Sequence, residues 1–130
     1  MTEEQADALA DVRATFPEHQ VDHEEAADGA ILVIVRAVTI GEGWNRPSVD
    51  LAVKLPVTYP SPPPYPFYCE LGLTRADGQT VSPVQPNVVI DGVTRTQISL
   101  KIEGQDRFDT DNETLGSRFV AVINWLKNPR

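Results

Sequence analysis

The sequence predicts an α+β domain in which a helix at each end covers one face of an antiparallel sheet. Three observations carry that expectation. Apolar residues near the amino end recur at helical spacing; Val49, Leu51, Val53 and Leu55 alternate with Ser48, Asp50, Ala52 and Lys54; and a second helical stripe lies near the carboxyl end. A one-sided antiparallel sheet must cover its apolar face, and the two amphipathic helices are the available cover. With 130 residues, 41% of them hydrophobic and 23% charged, the chain has the size and composition of one globular domain over residues 1–130.

The first helix is expected over residues 2–16, where Thr2 and Gln5 have capping-box spacing and Ala6, Leu9, Val12 and Phe16 fall on one face. Pro17 ends it. A strand is expected near His19–Glu25, and Asp28-Gly29 is a hairpin signal leading into Ala30–Val38, which reads as a strand buried on both faces. Ile40–Pro47, with two glycines and Trp44, reads as a loop before the alternating strand Ser48–Leu55. Pro56, Pro60, Pro62, Pro63, Pro64 and Pro66 then remove backbone donors and predict a stiff turn rather than sheet. Phe67, Cys69 and Leu71 resume alternation as a fourth strand with these three side chains inward.

Gly72–Gly104 reads as irregular, with turns at Asp77-Gly78 and Asp91-Gly92 and a short extended piece at Gln97–Lys101. A closing helix is expected from about Asp111 to Lys127, with Thr110 and Glu113 at capping-box spacing. Its stripe is Leu115, Phe119, Val122, Ile123 and Leu126, with Trp125 beside it. The expected order is therefore N-terminal helix, four-stranded antiparallel meander, irregular segment and C-terminal helix.

The formal net charge of −8, without a Lys/Arg cluster, argues against nucleic acid and anionic membranes as partners. Met1–Gln5 lacks the basic flank of a secretory signal, and Ala30–Val35 is too short to cross a bilayer, so a cytoplasmic location is expected. Cys69 is the only cysteine, which rules out an internal disulfide and a cysteine metal cluster. His19 and His23 lie in extended chain about 13 Å apart, too far to share a metal, and are expected to be exposed. Asp109, Asp111 and Glu113 begin like a calcium loop, but Thr114 stands where glycine is needed and Val120 where glutamate is needed. Asn112-Glu113-Thr114 is a glycosylation sequon without secretory context. No metal and no cofactor are expected.

Three segments in this order carry a resemblance. Leu55–Pro64, with Tyr59-Pro60 and Pro63-Pro64, is similar to the Tyr-Pro-x-x-Pro-Pro signature of the ubiquitin-conjugating superfamily. Its prolines also have the spacing of a peptide ligand for a proline-binding module, but they lie between two patterned strands. Gln85-Pro86-Asn87 resembles the His-Pro-Asn segment that precedes the active cysteine of that superfamily, and the helix ending Leu126-Lys127-Asn128-Pro129 resembles another of its segments. The superfamily includes RWD domains, cysteine-less variants and prokaryotic ubiquitin-conjugating-like proteins.

In the register this resemblance implies, Gln85 stands at the histidine position and Arg95 at the cysteine position, making Gln85, Pro86, Asn87 and Arg95 a vestigial site. Thioester transfer needs a thiolate, which arginine cannot supply. Thr94 and Thr96 have hydroxyls, but an ester is a poor carrier for onward transfer. Cys69 reads as a core residue on the fourth strand. The resemblance thus implies an inactive domain that binds a protein, such as a ubiquitin-like modifier. An active enzyme using Cys69 and an RWD-like scaffold unrelated to modifiers are the alternatives. The binding candidates are Trp44, Arg46, Asn87, Arg95 and Gln97. Two readings of Trp44 stay open: a recognition anchor, or a ring folded back onto the core.

Overall fold

The computed structural model describes residues 1–100 and 112–129. Helix α1 spans Glu3–Thr15, and its start is the expected capping box: Thr2 Oγ1 accepts from the Gln5 amide at 3.1 Å and Gln5 Oε1 accepts from the Thr2 amide at 2.8 Å. The buried face is Gln5, Ala8, Leu9 and Val12, while Ala6, expected inward, is exposed. Gln5 accounts for that rotation. Its Nε2 lies 3.0, 3.2 and 3.1 Å from the carbonyl oxygens of Gly29, Leu55 and Pro56, so a fully buried amide serves backbone groups that a hydrophobe would leave unpaired.

The sheet has six strands rather than the four expected: β1 Val21–Glu25, β2 Ile31–Thr39, β3 Ser48–Leu55, β4 Phe67–Cys69, β5 Val84–Ile90 and β6 Val93–Ile98. They run antiparallel in the order β1-β2-β3-β4-β6-β5. The segment expected to be irregular holds the β5–β6 hairpin, closed by Asp91-Gly92 with both residues at positive φ, 51° and 78°. Pro86 and a bulge between Gln85 and Val88 break its alternation and hide it from a period-two reading. Leu71, expected inward, lies beyond β4 and is 48% exposed.

Helix α2 spans Leu115–Lys127, capped by Thr114 with Ser117 instead of Thr110 with Glu113. Thr110, Asp109, Asp111 and Lys101 lie outside the described residues. Asp11 of α1 accepts a 2.8 Å hydrogen bond from the Gly116 amide, so one helix caps the next. Both helices pack on the inner face of the sheet, where Phe119 meets Phe67 edge-on at 5.0 Å and Leu9, Val12, Leu51, Val53 and Leu126 fill the core.

On the outer face Leu32, Ile34 and Ala52 form a second cluster, so β2 is buried on both faces over Ile31–Val35 as expected. Beside it Arg36 pairs with Asp22 at 2.8 Å and Asp50 at 3.3 Å, and the hydrogen bond from Arg36 holds the Asp22 carboxyl below its ordinary range. Lys54 of β3 reaches Asp91 at the hairpin tip at 2.9 Å, drawing that tip over the outer face.

Tyr59, Pro60, Pro63 and Pro64 sit in the turn between β3 and β4. Tyr59 is 8% exposed and belongs to the core, Pro64 is buried, and the Tyr59 amide donates to the Pro56 carbonyl at 2.9 Å. Burial, with Asp11 nearby, pushes the Tyr59 hydroxyl up to about 12.

Candidate functional site

Antiparallel pairing of β5 with β6 brings together residues separated along the chain. Gln85 stands opposite Gln97, and Val88 opposite Arg95. Gln97 Nε2 donates to Gln85 Oε1 and to Ser99 Oγ, both at 2.8 Å. Asn87 occupies the bulge at a φ of 62°, a left-handed conformation that asparagine tolerates better than most side chains. Gln85, Pro86 and Asn87 are exposed, whereas Gln97 is half-buried. The hairpin therefore gathers Gln85, Asn87, Arg95 and Gln97, all singled out in the sequence, on or beside one ladder.

Arg95 is half-buried with Leu32, Ile90 and Val93, and with Glu24, Glu25 and Asp91, around a cavity of about 120 Å³. Its Nε is buried without a hydrogen-bond partner among the described residues. The position that the register assigned to the nucleophile thus lies in the middle of a strand, with a guanidinium folded over the second apolar cluster.

Cys69 is 0% exposed on β4, paired in register with the equally buried Thr96. Burial, with Glu70 adding to it, pushes its thiol up to about 12, so the reactive thiolate is disfavoured near neutral pH. The native protein at pH 8 is expected to show no thiol to a disulfide reagent, and one thiol per chain once unfolded. The shift has a sign for stability too. Because the folded pKa lies above the ordinary value of 9.0, this contribution is intact below pH 9 and fades as pH rises toward 12. The alkaline decline, followed by denaturant midpoints, should be shallower in Cys69→Ala.

The structure takes the second reading of Trp44. The ring is 5% exposed, its Nε1 donates to the Leu126 carbonyl at 2.7 Å, and it packs on Trp125 at 6.3 Å. Arg75 lies over its face at 4.7 Å, a contact that sequence reading misses because it depends on an isolated bridge between distant loops. Arg46 is held near Glu70 at 3.8 Å. His19 is not fully exposed as expected: its Nδ1 lies 2.9 Å from the Arg36 carbonyl and its ring meets Phe16 edge-on.

Beside the Gln85–Gln97 pair lies an open groove of about 670 Å³ between Tyr65 and Trp125. Among the described residues no cluster of three or more His, Cys, Asp or Glu could hold a metal, and no helix is long and apolar enough to cross a membrane.

No curated protein and no solved structure matches the chain. The terminal helices, the antiparallel sheet and the proline-rich turn agree with a match to the family model described as prokaryotic E2 family E, which covers residues 9–126, and the chain belongs to that family.

Proposed function

We propose that this domain is a catalytically silent member of a conjugation system that works by binding a protein, with a ubiquitin-like modifier as the foremost partner. One observation carries the reading: the sole cysteine in the sequence is wholly buried and its thiol is held protonated. An E2-type carrier needs an accessible thiolate, and Arg95, at the aligned position, can be neither nucleophile nor leaving group. The ladder that presents Gln85, Asn87, Arg95 and Gln97 is the surface assigned to binding.

The rival scaffold unrelated to modifiers is separated from this reading by titration. Adding a ubiquitin-like modifier from the same host to the isotope-labelled domain should perturb backbone signals of Gln85, Asn87, Arg95 and Gln97. Arg95→Ala should weaken that binding by about 1 kcal/mol or more, the scale of an interface anchor, without lowering the melting temperature. Saturating modifier with no perturbation on β5 or β6 would contradict the assignment.

A further inference from the structure

The groove between Tyr65 and Trp125 has chemistry that the conjugating resemblance does not use. Its lining includes Gln85, Gln97, Ser99 and Leu100 and contains no charged side chain, in a chain whose formal net charge is −8. Tyr65 is 41% exposed, and Trp125 is half-buried.

The two glutamines are tied to each other in a way that leaves a matched pair of groups open. Both hydrogens of Gln97 Nε2 are committed, one to Gln85 Oε1 and one to Ser99 Oγ. Among the described residues nothing donates to Gln97 Oε1 and nothing accepts from Gln85 Nε2. One free acceptor beside one free donor is the complement of a peptide unit, which offers an N–H and a C=O. Mutual bonding also limits the motion of both amides, so less side-chain freedom is lost when a ligand arrives.

We infer that this groove binds an extended, uncharged peptide segment of a partner protein, pairing one of its peptide units with Gln85 and Gln97 and seating an apolar side chain between Tyr65 and Trp125. Charge selects the occupant. A Lys, Arg, Asp or Glu placed here would be desolvated with no ion to pair with, and the negative field of the chain further disfavours acidic segments. Aromatic walls supply contact area at small cost in side-chain freedom.

This inference rests on the protein-binding reading and names the kind of segment bound. The test is to pan a phage-displayed library of random heptapeptides against the whole domain, then titrate the enriched peptide, synthesised with blocked ends, by calorimetry. The expected result is enrichment of uncharged sequences that shift the side-chain amide signals of Gln85 and Gln97 and the indole signal of Trp125. Gln85→Ala and Gln97→Leu should each weaken binding about five- to tenfold, the effect of one lost hydrogen bond. Both sites lie on the open side of the hairpin, and their melting curves should match that of the unmodified domain. Tyr65→Ala should weaken binding while leaving the Trp44–Trp125 contact in place.

No enriched peptide, enrichment of charged sequences, or affinity unchanged in both glutamine variants would overturn the inference. So would a dimer that occupies the groove and yields to no peptide. A modifier that binds elsewhere while no peptide is enriched would sink the groove alone. Thioester formation on Cys69 would instead sink the functional reading and leave the peptide result standing.

Discussion

Replacing Trp44 by alanine is expected to lower stability by about 3–5 kcal/mol, the range for truncating a large buried aromatic side chain. The substitution removes the ring from the core, leaves the Leu126 carbonyl without its 2.7 Å donor, and strips Arg75 of the face it covers. Arg75 Nη1 is already buried without a hydrogen-bond partner among the described residues, so it has no alternative contact to fall back on. Trp44→Phe separates the contributions: most packing survives and only the N–H is lost, which should cost about 1–3 kcal/mol. Urea unfolding followed by far-ultraviolet circular dichroism measures both without relying on tryptophan emission. An alanine variant with an unchanged midpoint would mean that the ring contributes little to the fold and would restore it as a candidate binding anchor.

The second large effect is expected at Gly116, where α2 comes closest to α1. A Cβ built there stands 2.7 Å from Asp11 Oδ2 and 2.9 Å from Thr15 Cβ, with Thr15 Oγ1 nearer still. Alanine normally gains about 1 kcal/mol over glycine inside a helix. Here it must push the helices apart, stretching the 2.8 Å bond from the Gly116 amide to Asp11. Overpacking of this kind typically costs about 1–3 kcal/mol. Gly116→Ala should therefore destabilise the protein despite the better propensity. Thr15→Ala removes the nearest obstructing atom, so the double variant should recover at least about 0.5 kcal/mol relative to the sum of the singles. Additive effects would show that the two helices are not in the close contact described.

Elements whose local signals agree are legible in the amino-acid sequence. Thr2 and Gln5 form the capping box their spacing implies, β3 occupies the residues of its alternation, and Asp28-Gly29 and Asp91-Gly92 both turn hairpins. Helix α2 is visible as an apolar stripe, but it starts after Thr114 because Ser117 completes that cap. The β5–β6 hairpin is not legible: Pro86 and the bulge at Asn87 interrupt the pattern, and Val89 and Val93 are 67% and 48% exposed where a strand reading seeks an inward face.

The same limit governs the site. Gln85, Asn87, Arg95 and Gln97 can be picked out individually, yet the bond between the two glutamines exists only through a register that the sequence does not display. Gln5 reads as a polar residue at a helix start and becomes a core residue because three carbonyls converge on it. For Trp44, loop position alone leaves its direction open, and a carbonyl 82 residues away in the chain sets it.

The central claim is that the chain binds without carrying a thioester. The most direct measurement is to incubate the domain with a ubiquitin-like modifier, its activating enzyme and ATP, and to record the intact mass under non-reducing conditions. The account predicts the unmodified mass at all times, with charging of the activating enzyme showing that the reaction was competent. A thiol-labile adduct that forms on the native domain and is absent in Cys69→Ser would contradict it, and would require the buried β4 cysteine to open to solvent and serve as the active nucleophile.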